Sequence, residues 1–368
     1  MVPTPGNVRR ILMTADAVGG VWSYSMDLAT ALRARGIDVT VAVMGPRMDS
    51  AQQADAAARG IDVVHAPYRL EWMDDPWEDV ERAGPWLLSL ADRLQPDLVH
   101  LNGFCHAALP WSVPTVVVAH SCVKTWWRGV HGEEAPGCWD AYADRVAAGL
   151  RAASLVLAPT RALLDEVLAV YGPVAAAGVI PNGSRAVERP LPSAAKEPMV
   201  LSAGRLWDEA KNVASVCAVA SSLSWPLYLA GDLEGPSQCF VPWGAARYLG
   251  RLPAAELARW YERAAIYALP ARYEPFGLSV VEAAAAGCAL VLGDIRTLRE
   301  NWTGAALFVP PDNRRALAAA IEQLAHDDAH RAELGRRARQ RAAAFTVDRM
   351  AEAYVAAYNS LLVPAAAA

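Results

Sequence analysis

The chain has 368 residues, which is too long for one ordinary hydrophobic core and suggests two domains. Hydrophobic residues make up 54% and charged residues 20%, so a folded and well-buried protein is expected rather than a disordered one. The formal net charge of −5 provides no basic field for a nucleic-acid backbone, so we expect no nucleic-acid partner.

Targeting and redox signals are weak in this sequence. The six cysteines form no C-x-x-C pair, so neither a zinc site nor a disulfide framework is expected, and we predict a cytoplasmic protein. The apolar run 11–15 near the N-terminus is too short for a signal peptide or a membrane span. Any contact with a membrane-bound substrate is therefore expected to be peripheral, at the inner membrane face.

The first half of the chain alternates strand-length apolar runs with amphipathic segments of helix length. This alternation predicts an α/β domain with a parallel, doubly wound sheet over residues 1–182. The predicted strands are 10–14, 38–44, 61–65, 97–101, 115–119, 154–158 and 178–180, and the predicted helices are 21–35, 77–94 and 161–171.

The segment 183–198 interrupts this pattern with Pro, Ser and charged residues, which predicts a linker. A second β-α series follows and predicts a second domain over residues 199–345. Its predicted strands are 199–203, 227–230, 265–269, 289–292 and 305–309, and its predicted helices are 211–222, 254–263, 278–286, 315–325 and 329–345. The two halves share one architecture, so we predict two Rossmann-like, doubly wound domains that face a cleft.

Two glutamates flank the start of the predicted helix 278–286. Pro275-Phe276-Gly277 opens this helix, and the amides of a first turn favour an anion or a hydroxyl oxygen. Glu274 lies just before the helix and Glu282 lies about one turn into it, so the two carboxylates are suited to two separate sets of hydroxyls. The alternative is a helix-capping glutamate and a solvated one.

Two cations follow the first strand of the second half. Gly204-Arg205 places a guanidinium at the carboxyl edge of the sheet, where ligands bind in open α/β sheets. Lys211 begins the next helix and is expected to reach the same region. Arg supplies a planar fork and Lys a point charge, so the pair is suited to neutralising a diphosphate. The alternative is two surface cations.

The first half carries two weaker signals. Gly19-Gly20 follows the first strand and would let backbone amides approach a phosphate or a sugar, although a tight turn without a ligand explains it as well. The full G-x-G-x-x-G fingerprint is absent, which disfavours an NAD oxidoreductase. His120 ends the predicted strand 115–119 and is interpreted either as a site residue or as a structural one.

Together these motifs resemble the retaining glycosyltransferases of family 4, which have the GT-B fold. The order and spacing of the matching residues carry the resemblance over nearly the whole chain. The matching residues are Ile180-Pro181-Asn182-Gly183, Gly204-Arg205-Leu206, Lys211-Asn212, Glu274-Pro275-Phe276-Gly277, Glu282-Ala283, Gly287, Trp302-Thr303-Gly304 and Pro310-Pro311.

The resemblance implies a role for each candidate residue. Glu282 would bind ribose hydroxyls, Glu274 would bind hydroxyls of the donor sugar, and His120 would contact that sugar near the reacting carbon. The implied catalytic residues are His120, Arg205, Lys211 and Glu274. The implied donor-binding residues are Gly19, Gly20, Gly204, Arg205, Lys211, Arg251, Leu252, Glu274, Pro275, Phe276, Gly277, Leu278 and Glu282.

The resemblance also implies the reaction. A hexosyl group would pass from a nucleoside diphosphate sugar, with a UDP-sugar favoured and a GDP-sugar possible, to a hydroxyl of a carbohydrate, lipid-linked or small-molecule acceptor. The anomeric configuration would be retained by front-face displacement, with the diphosphate as base and charge stabilisation by Arg205 and Lys211. The sequence contains no Asp-x-Asp triplet, so no metal and no cofactor are expected. Three alternatives stay open: a nucleotide-sugar epimerase, a glycogen-type synthase, and a nucleotide-sugar-binding protein without turnover.

Seven of the thirteen tryptophans lie between Trp72 and Trp139. The segment 124–139 follows His120, contains three glycines and is predicted to be a long loop, a type of segment that often carries a binding function. Its acceptor candidates are Trp126, Trp127, Arg128 and His131. The alternative is that these tryptophans belong to the core.

The last predicted helix, 347–362, lies in a segment 346–363 that the resemblance assigns to the first domain. The helix carries a stripe of apolar residues at helical spacing, which could equally pack within the second domain.

Overall fold

The computed structural model describes residues 7–190, 195–233 and 243–362, and these form two compact units. The first unit contains the described residues up to Arg128, residues Glu133–Gly183, and the described residues from Val347 onward. The second unit contains Gly129–Gly132 and the described part of Ser184–Thr346.

The first unit is built on a parallel sheet, which has seven strands within its described residues. The strands are β1 (Arg10–Asp16), β2 (Asp38–Met44), β3 (Asp62–Ala66), β4 (Leu98–Leu101), β5 (Thr115–Val118), β6 (Leu155–Ala158) and β7 (Ala177–Val179). Their order is β3-β2-β1-β4-β5-β6-β7, which extends the Rossmann order by one strand. The order reverses between β1 and β4, and such a switch point is where open α/β sheets bind ligands.

Helices cover this sheet because its strands are apolar on both faces. In β1, Ile11, Leu12 and Met13 are all fully buried, as expected for a parallel sheet between helical layers. The helices are α1 (Gly20–Arg33), α2 (Ser50–Ala58), α3 (Trp77–Leu94), α4 (Val123–His131), α5 (Asp140–Ala152) and α6 (Arg161–Tyr171).

The C-terminal helix α13 (Val347–Leu362) belongs to the first unit and packs against α1. Of its predicted stripe, Met350, Tyr354 and Tyr358 are buried in the core of that unit, and Ala353, Ala357 and Leu361 pack against it. The helix therefore does not pack within the second unit. Residue 363, the end of the predicted segment, lies outside the described residues.

The second unit repeats the architecture, with six parallel strands among the residues that the structure describes there. The strands are β8 (Glu197–Ala203), β9 (Leu227–Ala230), β10 (Arg247–Tyr248), β11 (Ala264–Leu269), β12 (Ala289–Gly293) and β13 (Leu307–Val309). The helices are α7 (Val213–Val219), α8 (Ala254–Arg263), α9 (Leu278–Ala285), α10 (Arg296–Trp302), α11 (Arg314–His326) and α12 (Asp328–Ala342). The strand order β10-β9-β8-β11-β12-β13 is again the Rossmann order, with its switch point between β8 and β11.

The predicted loop 124–139 was wrong in its first half, where the structure has helix α4 (Val123–His131). Trp and β-branched residues have modest helix propensity, but burial of one face of the helix outweighs that preference. Thr125, on this helix, is 3% exposed. Gly132, with a φ of +73°, follows the last residue of the helix. A 3₁₀ turn, Gly137–Trp139, occupies the end of the predicted loop.

The segment predicted as a linker, 183–198, is divided in the structure. Gly183 belongs to the first unit, and the described residues from Ser184 onward belong to the second. A 3₁₀ turn, Arg185–Glu188, packs against α9 because Ala186 and Val187 contact the second core. Residues 191–194 lie outside the described residues.

Candidate functional site

Glycines end three neighbouring strands at the carboxyl edge of the second sheet. Gly204 follows β8, Gly231 follows β9 and Gly250 lies just after β10. The Gly204 N–H donates to the carbonyl oxygen of Ala230 at 3.0 Å, and the Gly231 N–H donates to the carbonyl oxygen of Gly250 at 2.9 Å. These bonds continue the ladder past the strands and fix the chain that leads into Arg205.

Gly231 was missing from the sequence prediction. A Cβ atom on this residue would lie 1.8 Å from the carbonyl oxygen of Gly204, and its φ is +139°, a value at which L side chains are strained. The signal was available, because a Gly directly follows the predicted strand 227–230. Only a residue without a side chain lets β8 and β9 end this closely.

Two cation–carboxylate pairs lie beyond the ends of β8 and β11. Arg205 Nη2 donates to Asp208 Oδ2 at 2.7 Å, and Lys211 Nζ donates to Glu274 Oε2. Both carboxylates are buried, with Asp208 5% and Glu274 7% exposed. Arg205, Lys211 and Glu274, which were predicted from the sequence, lie at one edge of the sheet, as expected for a switch point. Asp208 was not predicted.

Asp208 orients this group in two ways. Besides pairing with Arg205, its side chain accepts a hydrogen bond from the Ala210 N–H at 3.0 Å and so begins the 3₁₀ turn that ends at Lys211. Burial acts to raise the pKa of Asp208, but the charges of Arg205 and Lys211 outweigh it, so the pKa lies below its usual value. Asp208 therefore keeps its charge in neutral solution.

Asn212 connects the loops that surround this edge. Its φ of +53° is unusual for a residue with a side chain. Its Nδ2 donates to the carbonyl oxygens of Pro270 at 3.0 Å and of Pro311 at 2.6 Å. The loops after β8, β11 and β13 are thereby held together, a role that the matched motif alone did not reveal.

Helix α9 begins at Leu278, beside Glu274. Gly277 precedes it with a φ of +88°, and a Cβ atom there would lie 3.0 Å from Val280 Cγ2. Pro275 and Phe276 complete the turn, and Phe276 is buried in the core. The loop is fixed further because Thr297 Oγ1 donates to the carbonyl oxygen of Glu274 at 2.6 Å.

Glu282 lies on the second turn of α9 and is half-buried. Arg251 and Leu252 follow β10 at the same edge of the sheet. Arg251 is exposed, with its Nε 3.9 Å from Asp232 Oδ2, and Leu252 packs against the core. All the predicted donor-binding residues from Gly204 to Glu282 therefore lie within the second unit.

The remaining donor-site predictions lie in the first unit. Gly19 precedes α1 with a φ of +80°, Gly20 is the first residue of that helix, and both are exposed. His120 lies two residues after β5, and its Nε2 is 2.8 Å from Asn102 Oδ1. The sequence missed Asn102, which follows β4 by one residue.

The acceptor candidates lie on α4. Trp126 and Trp127 are half-buried, with ring centroids 6.0 Å apart. Arg128 is exposed and pairs with Glu134, and His131, the last residue of the helix, is exposed and falls in the segment grouped with the second unit. The role of these residues in acceptor binding stays a prediction.

Among the described residues, no group of three or more His, Cys, Asp or Glu side chains is placed to hold a metal ion. Within the same residues, no helix combines the length and the apolar character that a membrane crossing needs.

Comparisons with known proteins match both units. A family model described as Glycosyltransferase Family 4 matches residues 18–184, and one described as Glycosyl transferases group 1 matches residues 185–341. Their common boundary lies one residue from the boundary between the two units. The glycogen synthase of Mycobacterium tuberculosis is 30% identical over 382 aligned residues, which cover 90% of each chain.

Solved structures show the fold. Sucrose-phosphate synthase from Thermosynechococcus elongatus is similar with a TM-score of 0.80 and 19% identity, over 96% of this chain and 99% of that one. Anabaena Alr3699/HepE, in complex with UDP and glucose, has a TM-score of 0.78 and 18% identity, over 96% of this chain and 100% of that one. The predictions of family and fold class are confirmed: the chain belongs to the family 4, group 1 glycosyltransferases and has the GT-B fold.

Proposed function

We propose that this glycosyltransferase moves a hexosyl group from a nucleoside diphosphate sugar, with a UDP-sugar favoured over a GDP-sugar, to a hydroxyl of a carbohydrate, lipid-linked or small-molecule acceptor. The observation that carries the proposal is the group formed by Arg205, Lys211 and Glu274 at the switch point of the second sheet. A diphosphate needs cations, and a hexose needs a buried carboxylate that accepts from hydroxyls.

In this proposal the reaction retains the anomeric configuration and needs no metal. Arg205 and Lys211 take up the negative charge that develops on the leaving diphosphate, and the diphosphate accepts the proton of the acceptor hydroxyl. Glu274 holds hydroxyls of the donor sugar and Glu282 those of the ribose. His120 contacts the donor sugar near the reacting carbon, and the acceptor candidates are Trp126, Trp127, Arg128 and His131 on α4.

The similarity to a glycogen synthase over 90% of both chains favours a second, narrower candidate, a glycogen-type synthase whose acceptor is glycogen. The preference for a UDP-sugar has support from the related fold of Alr3699/HepE, which was solved with UDP and glucose. We propose a cytoplasmic location, with peripheral contact at the inner membrane face if the acceptor is lipid-linked.

A thermal-shift screen of UDP-, GDP- and ADP-sugars tests the donor. We expect UDP-glucose to raise the melting temperature most, since a UDP-sugar is the favoured donor. A ligand at a hundred times its dissociation constant stabilises a folded protein by about 2.7 kcal/mol. Glu282→Gln should remove most of this shift. Glu256→Gln, at an exposed position on α8 of the same unit, is the matched control and should keep it.

Product analysis separates the proposed reaction from its alternatives. Release of the nucleoside diphosphate should depend on an acceptor, with a glucan and small glycosides compared, and NMR should show a product with the anomeric configuration of the donor. Binding without release would indicate a protein without turnover. An altered sugar on an intact nucleotide would indicate an epimerase.

Turnover is expected to survive an excess of chelator, because the charge on the leaving group is taken up by Arg205 and Lys211 rather than by a metal ion. Initial rates with and without EDTA measure this directly. Activity that disappears with EDTA and returns with magnesium would contradict the metal-free proposal.

A further inference from the structure

A half-buried asparagine lies at the switch point of the first sheet. Asn102 follows β4, its backbone N–H donates to Thr14 Oγ1 at 3.0 Å, and its Nδ2 donates to the Thr14 carbonyl oxygen at 2.7 Å. Nδ2 also lies 3.2 Å from Ser25 Oγ on α1. Asn102 therefore ties the end of β1 to the end of β4, where this sheet order reverses.

These contacts fix the orientation of the Asn102 amide. A carbonyl oxygen can only accept, so the amide atom 2.7 Å from the Thr14 carbonyl must be the NH₂ group. The other amide atom, Oδ1, then faces two histidines, at 2.8 Å from His120 Nε2 and 3.1 Å from His100 Nε2. Because Oδ1 can only accept, both Nε2 atoms carry hydrogen.

The surroundings of His100 agree with this assignment. Burial lowers the pKa of His100 to about 4, so the ring is neutral in ordinary buffers and only one of its nitrogens carries hydrogen. With hydrogen on Nε2, Nδ1 accepts from the Tyr358 hydroxyl at 2.6 Å. Tyr24, whose hydroxyl lies 3.4 Å from His100 Nε2, in turn donates to the Tyr354 hydroxyl at 2.6 Å. Helix α13 thus supports the same hydrogen-bond chain.

The same reasoning leaves one nitrogen of His120 available. Burial lowers the pKa of His120 to about 3, so this ring is also neutral. Its Nε2–H is used by Asn102, and within the described residues Nδ1 makes no hydrogen bond. The ring is held further by an edge-to-face contact with Tyr24 at 4.5 Å between centroids.

We propose that Asn102 is a positioning residue that holds His120 as the Nε2–H tautomer, so that Nδ1 accepts a hydrogen bond from a hydroxyl group of the sugar substrate. This inference rests on the proposed function, in which His120 contacts the donor sugar. It adds a chemical restriction: a lone pair on Nδ1 attracts a hydroxyl that donates and repels phosphate and carbonyl oxygens. His120 in this state delivers no proton to the leaving group.

The first test needs no substrate. The intact protein is labelled with ¹⁵N-histidine, and the His120 resonances are assigned by their loss in His120→Gln. In neutral buffer we expect the ¹⁵N shifts of His120 to show hydrogen on Nε2 and none on Nδ1. Hydrogen on Nδ1 in the wild-type protein would overturn the inference, whatever the enzyme transfers.

Variants at Asn102 test the cause. Asn102→Leu offers His120 no acceptor, so we expect a mixture of tautomers and a kcat/KM for UDP-glucose reduced about fivefold, as for one lost hydrogen bond. Asn102→Asp keeps an acceptor oxygen for His120, and its protonated carboxyl also donates to the Thr14 carbonyl oxygen, so in that form it should restore both the tautomer and most of the rate. Ser25→Ala removes a partner of Nδ2 but leaves Oδ1 in place, and should resemble the wild type.

A purely structural role for Asn102 predicts another pattern. Asn102→Asp would then lose as much activity as Asn102→Leu, or the ¹⁵N shifts of His120 would not follow the activity, and either result would overturn the proposal. If Asn102→Leu does not fold, the wild-type spectrum and the comparison of Asn102→Asp with Ser25→Ala still decide it.

Addition of UDP-glucose completes the test and separates the two proposals. We expect the His120 Nδ1 resonance to move while hydrogen stays on Nε2. Binding of UDP-glucose without any change at Nδ1 would contradict the hydroxyl contact. If UDP-glucose does not bind, the proposed donor is wrong, while the assignment of the tautomer to Asn102 stands on the spectra without substrate.

Discussion

Lys211→Met is expected to reduce kcat roughly a hundredfold, the usual cost of removing one preorganised group that stabilises charge in a transition state. KM for the donor should change less, because the negative charge on the diphosphate increases as the bond to the sugar breaks. Arg205→Met is expected to have a similar effect. Steady-state rates with the donor identified by the thermal-shift screen provide the measurement.

Because Lys211 forms an ion pair with Glu274, Lys211→Met is expected to affect stability as well as kcat. Glu274 is only 7% exposed, so Lys211→Met leaves a buried carboxylate without its cation, which also lowers the free energy of unfolding. The double variant with Glu274→Gln removes that buried charge and should recover stability. It should not recover kcat, because the cation at the leaving group is still missing.

A matched lysine in the same unit serves as the control. Lys196 lies just before β8, at the opposite end of that strand from Arg205, and its Nζ donates to the carbonyl oxygen of Tyr261 at 2.8 Å. Lys196→Met should lower stability but leave kcat near the wild-type value. If Lys211→Met and Arg205→Met both keep the wild-type kcat, the charge on the leaving group is stabilised by other residues.

The sequence predicted most strands and helices of both units because that signal is periodic and local, but it missed helices α2, α5 and α10 and strand β10. Strands β2 and β9 and helices α3, α6 and α13 have the predicted bounds. Helix α4 was not predicted, because glycine, tryptophan and β-branched residues in 123–131 have modest helix propensity. The edge of the second sheet was predictable from the strand ends, because parallel strands bring Arg205 and Glu274 to the same side.

The partners of the candidate residues were not predictable in the same way. Asp208 lies three residues from Arg205, and a polar residue at that spacing is most often a surface residue. The contacts of Asn102 join residues 14, 102 and 120, so they exist only once the strand order is known. Long-range hydrogen bonds of this kind determine the charge and the tautomer of side chains in a site. They cannot be inferred from a single sequence.

Gly231→Ala is the second substitution for which we expect a large effect. The new Cβ atom would lie 1.8 Å from the carbonyl oxygen of Gly204. The three atoms nearest to it all belong to the Gly204 backbone, so no flexible side chain can move away. Overpacking in a closed position costs about 1–3 kcal/mol, and the φ of +139° adds further strain. The end of β8 must shift to relieve the contact, and Arg205 shifts with it. We therefore expect a lower melting temperature together with a large loss of kcat.

Gly250→Ala separates the clash from the backbone strain. Gly250 ends the adjacent strand with a φ of +77°, but a Cβ atom there would have no heavy atom within 4 Å. We expect Gly250→Ala to lower the free energy of unfolding by the strain of a left-handed backbone alone, about 1–2 kcal/mol. The variant should keep most of the wild-type kcat. Thermal unfolding and initial rates on both variants make the comparison. Equal losses of kcat in the two would mean that the approach of β9 to Gly204 does not position Arg205, and that the leaving-group charge depends on Lys211 instead.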